Sequence, residues 1–312
     1  MYISWNQIEV FLKGEQIPFR RINSLSQESF RIASLFNPID QGFYFYNGTT
    51  TFPESIKDSV VLINSEQVIN PFNTFIVVES QDVQLIYYKL LSAYFKQGST
   101  GIINSLTEID SQATLGQNVQ IDSFSSIGKA KIGNNCIIGS HCKIYDNVEI
   151  GENTIIEAGS IIGTQGVAWI WADNQTKIAQ PQLGGVSIGT NCFLGANTIV
   201  VRGSLNENSI IEDNAMLSPG CRLGHGTIIK KNAHLANNVI TAGNVHIGEG
   251  AFIGSGAIFR PKVRIHNNTI VAAGAVVVKN TTAPFKTLIG CPAKETETKE
   301  TPSGMPKPLQ LK

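Results

Sequence analysis

Charge is scarce in this sequence. Asp, Glu, Lys and Arg make up 15% of the 312 residues, against about 25% in an ordinary soluble domain. The charge that is present cancels, with 24 basic and 24 acidic side chains. A formal net charge of zero argues against nucleic acid as the main partner, because the phosphate backbone requires a basic surface. No apolar run approaches the roughly 18 residues of a membrane span, so no transmembrane segment is expected. The opening stretch, MYISWNQIEVFLKG, has no basic segment ahead of a long apolar core. No secretory leader is therefore expected, and the chain reads as cytoplasmic. Cysteine is sparse and scattered: there are five, none in a Cys-x-x-Cys spacing. That pattern fits reduced thiols and gives no disulfide framework or metal site. Cys136 and Cys142 stand six apart, which is the step of a repeat, and they read as packing residues.

That repeat is the strongest signal present. A large apolar residue recurs every sixth position through Ile211, Leu217, Leu223, Ile229 and Leu235, and again from Ile247 to Val277; only Thr241 interrupts the series. Ile132, Ile138, Ile144, Ile150, Ile156 and Ile162 keep the same step, and so do shorter runs at 115–127 and 188–200. A period of six fits neither an amphipathic helix nor an alternating strand. It fits a short strand followed by a tight corner, repeated. Three such units close a triangular coil of 18 residues, and each coil stacks on the last as parallel strands ~4.8 Å apart. The expected fold is mainly β, a parallel β-helix whose six-spaced residues fill the interior. The abundant Asn and Gly suit its corners, because both tolerate left-handed backbone angles.

Two breaks interrupt the repeat. Residues 164–185 lack the ladder and contain Trp169 and Trp171. They read as a loop extruded from the coil, and paired exposed indoles favour a functional, substrate-binding loop. The second break reads as one extra residue near 205–211. Residues 1–100 lack the period. Their helix-like stretch at 84–97 and strand-like stretches at 59–63 and 74–78 suggest a small α/β domain capping the first coil. The β-helix is expected over 101–290, and a polar, Pro-containing flexible tail over 291–312.

A packed solenoid interior leaves no deep pocket, so chemistry belongs on the outer faces or in clefts between copies. Five histidines are available, and a lone outward histidine is ordinarily just solvated. Stacking by 18 singles out His225, with Gly243 one coil above and Glu207 one coil below if the nearby break leaves the register intact. A neutral imidazole could act as general base, a carboxylate could fix its tautomer, and a glycine N–H could meet a developing oxyanion. Gly243 reads equally well as a mere corner glycine. No trio of histidines is spaced to share a zinc ion.

The stretch 184–248, which includes NTIVVRGSLNENSIIEDNAMLSPGCRLGHGTIIKKNAHLANNVITAGNVHIG, resembles the UDP-3-O-acylglucosamine N-acyltransferases, hexapeptide-repeat enzymes of lipid A assembly. The resemblance extends at low identity to residues 30–97, through FYFYN and TFIVVESQDVQLIYYKLLSAYF. It implies a left-handed coil, a nucleotide-binding N-terminal domain and a homotrimer. Carried over by position, His225 matches the general base, Gly243 the oxyanion glycine and Glu207 an acidic position. Phe45 and Asn47 match residues that hold a uracil ring. Arg202 matches the family's Arg-Gly pair, although Val201 stands where the family has Asp. Lys262 stands in place of a second histidine, Gly166-Val167-Ala168 in place of a Gly-Phe-Gly, and Gly226 in place of an Asn. Arg202, Lys262, Trp169 and Trp171 thus join the expected substrate-binding set. No counterpart of the family's C-terminal helical extension is expected in the polar stretch 291–312. The resemblance implies no permanently bound cofactor. It implies an acyl thioester, carried by coenzyme A or acyl carrier protein, as co-substrate, and a nucleotide-linked amino sugar as acceptor. The alternatives are an acetyl-CoA-dependent N-acetyltransferase of a UDP- or dTDP-amino sugar and a non-catalytic nucleotide-sugar binder.

Overall fold

The computed structural model describes residues 1–23, 26–78, 82–172 and 176–297. The chain divides into two compact units, Met1–Gln97 and Gly98–Lys312.

The first unit is a six-stranded sheet with two helices. Its strands are β1 (Tyr2–Ser4), β2 (Arg20–Ile22), β3 (Ser29–Ile32), β4 (Gly42–Phe45), β5 (Val60–Ile63) and β6 (Thr74–Val77), in the order β1-β3-β4-β5-β6-β2. The central strands β3 to β6 run parallel, and the outer two are antiparallel to their neighbours. Helix α1 (Trp5–Gly14) begins at Ser4, whose side chain accepts from the Gln7 N–H while the Gln7 side chain accepts from the Ser4 N–H. This reciprocal cap satisfies two donors that a helix start would otherwise leave without partners. Helix α2 (Val83–Phe95) starts at Asp82, which accepts from the Leu85 N–H. Alternation along the strands splits the core in two. Phe43, Leu62 and Ile76 pack with the buried helical residues Ile8, Ile86 and Leu90 on one side, while Tyr44, Val61, Phe75 and Val77 form a second cluster. The expected helix and strands are present, as Val83–Phe95, Val60–Ile63 and Thr74–Val77, with no end more than two residues from its expected place.

The second unit is a parallel β-helix. Ile229 pairs with Ile247 and Ile247 with Ile265, each a step of eighteen. Among the described residues the coil has three faces, of nine, eight and ten strands. Corners depend on one backbone conformation. Asn118, Asn135, Asn153, Asn191, Asn214, Asn232 and Asn268, among others, sit at φ between 54° and 59°. Asn adopts this left-handed region more readily than most side chains. Stacked corner asparagines also bond to each other, as Asn118 Nδ2 does to Asn135 Oδ1 at 3.0 Å and Asn135 Nδ2 to Asn153 Oδ1 at 3.1 Å.

Two residues per short strand unit point inward. The large six-spaced residue is one. The other lies two positions earlier and is small or medium-sized: Cys136, Cys142, Cys192, Cys221, Ala215, Ala233, Ala251 and Ala257 are all buried there, as are Val119, Val148, Val239 and Val245. This second, small ladder lets the corner close over the large one. Thr241, the break in the large ladder, is also buried. Its hydroxyl bonds Thr227 Oγ1 at 3.0 Å and accepts from the Gly224 N–H at 3.1 Å. A polar residue is accommodated because it lies beside a second buried threonine.

The C-terminal boundary differs from expectation. Lys294–Glu297 is a strand paired antiparallel with Lys286–Ile289, so regular structure continues past residue 290. The Lys and Glu side chains that make 294–297 look like solvated tail line an edge strand instead, and Lys286 forms an ion pair with Glu297. The remainder of the expected tail, 298–312, lies outside the described residues. No helix among the described residues is long and apolar enough to cross a membrane.

Burial pushes the thiols of Cys142, Cys192 and Cys221 up to about 11 and raises that of Cys136. Cys291 alone is exposed. A native protein at pH 8 treated with a thiol-reactive dye should therefore modify one thiol quickly, and five only after denaturation. Rapid native labelling of Cys142 would show that the coil interior is open.

Candidate active site

One edge of the prism gathers almost every candidate of the second unit. It lies between the nine- and eight-stranded faces, and each coil crosses it once. At the first lengthened crossing, Val148 pairs with Val186, thirty-eight residues on instead of eighteen, so twenty residues are extruded. At the next, Val186 pairs with Ser209, twenty-three on, so five more are extruded. The third crossing carries His225, the fourth Gly243 and the fifth Lys262. Trp169, Trp171, Arg202, Glu207, His225, Gly243 and Lys262 are thus stacked along a single edge.

The twenty-residue insertion contains a hairpin, Trp169–Trp171 paired antiparallel with Lys177–Ala179. The two indoles meet edge to face at 5.2 Å, and the Lys177 ammonium sits over both rings, 4.3 Å from Trp169 and 5.2 Å from Trp171. Both rings stay largely exposed. A cation over a ring is worth about 0.5–1 kcal/mol at an exposed site, enough to align the pair but not to bury it.

Arg202 takes a different part from the one expected. Its side chain is buried, and it donates from Nε to the Gly163 carbonyl at 2.7 Å and from Nη2 to the Asp146 carbonyl at 3.0 Å. The guanidinium therefore closes the base of the extruded loop and is not offered to a substrate. The preceding residue, Val201, pairs in the strand Ile199–Val201. Further bonds tie the two insertions together, from the Leu183 N–H to the Ser204 carbonyl at 2.9 Å and from the Gly185 N–H to Asn208 Oδ1 at 2.9 Å.

Glu207 is also displaced from its expected role. The break near 205–211 is an insertion of five residues, not one, so the strand register puts Arg202 below His225 and leaves Glu207 in the inserted turn. Its carboxylate accepts from the Ser204 N–H at 2.7 Å and the Leu205 N–H at 3.1 Å. Backbone N–H groups of Glu207 itself, Ser204 and Leu205 hold it below the usual carboxylate range, and the charge of His225 adds a smaller pull. The group that touches His225 is the Ser204 hydroxyl, 3.0 Å from Nδ1. Nothing in the repeat pattern singles out Ser204, because it lies inside an insertion the pattern does not register.

Above His225 the geometry follows the 18-residue step. The imidazole lies across Gly243, and a Cβ there would overlap Nε2, Cε1 and Cδ2 of His225. Gly243 is therefore more than a corner glycine, since its missing side chain is the space the ring occupies. Its N–H is also open. Four corners cap the matching N–H from the coil above, Gln117 by Asn134, Lys129 by Asp146, Thr190 by Asp213 and Glu249 by Asn267, whereas Gly243, like several other corners, has no such cap. The stacked residue over Gly243 is Pro261, whose side chain has no acceptor. Among the described residues no group accepts from the Gly243 N–H. One coil further, Lys262 turns the same edge at φ 65° and donates its own N–H to the Gly243 carbonyl at 3.0 Å. An imidazole held by a hydroxyl, next to an uncapped amide N–H, can take a proton and stabilise an oxyanion.

Phe45 and Asn47 belong to the first unit. They line a cavity of about 550 Å³ together with Phe36, Tyr46, Tyr87 and Tyr88. Phe45 meets Tyr87 at 5.2 Å and Tyr88 edge-on at 6.2 Å. Tyr87 is fixed by hydrogen bonds from its hydroxyl to the carbonyls of Phe43 at 3.1 Å and Ala33 at 3.3 Å. The expectation named two of these residues and missed Tyr46, which follows β4, and the helical Tyr87 and Tyr88. Among the described residues no group of three His, Cys, Asp or Glu side chains could hold a metal ion.

Substituting Gly243→Ala tests the stacked contact directly. Its backbone is not in the left-handed region, so alanine is tolerated there, and the His225 ring must swing away. The thermal midpoint should stay nearly unchanged while the imidazole ¹⁵N resonances lose the signature of the Ser204 bond. Unchanged resonances would mean that the ring does not depend on the gap.

Comparison with known proteins agrees with this architecture. Family models described as bacterial transferase hexapeptide (six repeats) match residues 112–144, 129–164 and 244–279, and hexapeptide repeat of succinyl-transferase matches 185–217. A UDP-3-O-acylglucosamine N-acyltransferase from Idiomarina loihiensis is 37% identical over 163 residues, covering 52% of this chain and 44% of that protein. The protein of the same name from Coxiella burnetii is 28% identical over 157 residues, 45% of this chain and 46% of its own. The chain thus matches less than half the length of these relatives. Among solved structures, the UDP-N-acetylglucosamine O-acyltransferase of Moraxella catarrhalis superposes with a TM-score of 0.57 at 23% identity, over 62% of this chain and 73% of that one. That likeness concerns the fold. The chain is a left-handed parallel β-helix of hexapeptide repeats, similar to the UDP-3-O-acylglucosamine N-acyltransferases.

Proposed function

We propose that this protein is an N-acyltransferase that moves an acyl group from a thioester to the amine of a nucleotide-linked amino sugar. The observation that carries the reading is the corner where His225 lies across Gly243, with Ser204 on Nδ1 and the Gly243 N–H uncapped. The names of the curated relatives support the reaction class.

In this mechanism the neutral His225 ring carries its proton on Nδ1 and donates it to Ser204 Oγ, so Nε2 is the free base. The attacking amine loses a proton to Nε2 as its nitrogen bonds the thioester carbon. The carbonyl oxygen gains charge beside the Gly243 N–H. The C–S bond then breaks, and the thiolate leaves with the proton held on Nε2. No acyl-enzyme forms. Ser204 does for the imidazole what a carboxylate does in a Ser-His-Asp triad, with less electrostatic support for the cation. Phe45 and Asn47, in the aromatic cavity of the first unit, suit a nucleobase, one by ring contact and one by reading an amide edge. Coenzyme A or acyl carrier protein carries the acyl group as co-substrate, with no resident cofactor. The reaction takes place in the cytoplasm. Ile155, Phe193 and Met216, followed by His234 and Phe252, form a mainly apolar outward column on the ten-stranded face, which supports association of copies as a homotrimer.

The test is a thiol-release assay with coenzyme A and acyl carrier protein thioesters against a panel of UDP- and dTDP-amino sugars. His225→Ala should lower kcat by about 10²–10⁴. Ser204→Ala should lower kcat less and shift the limb of the pH–rate profile that reports the base. Near-normal turnover in His225→Ala would remove the assignment, and binding of nucleotide sugar without turnover in the native protein would favour a non-catalytic binder.

A further inference from the structure

A second feature of the β-helix lies one face away from the histidine edge. The strands Ile228–Ile229, His246–Ile247 and Arg264–Ile265 stack so that Ile228, His246 and Arg264 form one outward column of the eight-stranded face. Where this face turns its next corner, Lys230 and His266 fall in a neighbouring column. These side chains surround a cavity of about 320 Å³, lined also by Asn267 and Thr281.

The cavity is electrostatically one-sided. Four of its side chains are basic or can be, and no carboxylate lines it. One of the four, Lys230, is already paired with Glu212 at 2.6 Å, and Glu249 is engaged outside the cavity with Lys231 at 3.4 Å, which leaves Arg264, His246 and His266 facing it. Among the described residues Arg264 has no ion-pair partner. Burial, then the charges of Arg264 and Lys230, disfavour the cation of His246. Stacking His246 beside Arg264 is therefore costly without an anion and favourable with one.

The donors are also oriented. The His266 N–H donates to Thr281 Oγ1 at 2.8 Å, and Nδ1 of the same ring lies 2.7 Å from that oxygen. Thr281 is buried, and its hydroxyl, already an acceptor, has one proton to give. Given to Nδ1, that proton leaves the neutral ring protonated on Nε2, the nitrogen away from Thr281. The backbone N–H of Arg264 donates to Asn280 Oδ1 at 2.9 Å, so the guanidinium is the donor this residue can offer to a ligand.

We propose that this cavity binds a phosphate ester, the terminal phosphate or diphosphate of a substrate. A guanidinium fork with an adjacent N–H donor is suited to phosphate oxygens. The inference goes beyond the acyl-transfer reading and assigns residues that reading does not use. His246 lies three residues past Gly243 along the chain, about 10 Å at strand spacing. A phosphate held here would anchor a long substrate whose other end reaches the histidine edge. Both the thioester donor and the nucleotide acceptor carry such a group.

Calorimetry on the full chain tests this with inorganic pyrophosphate, coenzyme A, pantetheine, UDP and uridine. Pyrophosphate should bind, and Arg264→Gln and His266→Gln should each raise its Kd about tenfold, the usual worth of a charge-assisted bond. Arg264→Lys should fall between, keeping the charge but losing the fork. Weakened coenzyme A with unchanged pantetheine assigns the site to the donor; weakened UDP with unchanged uridine assigns it to the acceptor. His225→Ala should leave pyrophosphate binding intact, which separates this site from the acyl-transfer assignment. Equal affinities for all three phosphates in native and substituted proteins, with circular dichroism showing intact folds, would overturn the proposal.

Discussion

The structure of the second unit depends on one backbone conformation, the left-handed residue that turns each corner. A chain can run flat along a face for only a few residues before it must bend, and the bend is sterically open to Asn and Gly far more than to other residues. Asn adds a side chain that bonds the corner above, as Asn118, Asn135 and Asn153 do. With corners at fixed intervals, the strands fall into parallel register, the large ladder meets itself, and the small ladder two positions earlier leaves room for closure. The low charge and abundant Asn of the sequence follow from this one requirement.

The same requirement makes an edge of the prism a place to build. Every coil presents one crossing there, and the backbone at a crossing can be lengthened without disturbing the faces on either side. The two insertions lie at successive crossings, joined by the Leu183–Ser204 and Gly185–Asn208 bonds and closed by the buried guanidinium of Arg202. The next crossing supplies an imidazole, and the one after it supplies a glycine and, through Pro261, an uncapped amide. His225, Gly243 and Pro261 are distant in sequence yet meet because they occupy equivalent positions, and Ser204 reaches His225 from the inserted turn.

Most of this fold was legible in the sequence, because a period of six sustained over many repeats suits a three-sided coil and neither a helix nor a flat sheet. The ladders, the packing role of Cys136 and Cys142, and the Gly243–His225 neighbour all follow from counting by six or eighteen. Counting has a blind spot, however. It reads position only modulo the repeat, so five residues gained between Val200 and Ile211 look like a slip of one. That misplaced Glu207 beneath His225 and hid both Arg202's structural part and Ser204's contact. The strand Lys294–Glu297 was missed because an edge strand facing solvent carries no buried alternation to detect. In the first unit, Phe45 and Asn47 came from resemblance, whereas the flanking Tyr87 and Tyr88 emerge only once α2 is seen against β4.

The stacked contact between His225 and Gly243 also gives the prism something like a reading frame. Residues between them act as a spacer of fixed length, so losing one within a strand would rotate every later side chain from inside to outside and separate the pair. Length added at a crossing is silent in this frame: strand pairing resumes in phase after twenty extra residues and again after five. Divergence in such a chain is therefore channelled. Faces can change residue but not length, while edges can change both, and new recognition elements are free to grow beside an old histidine without moving it.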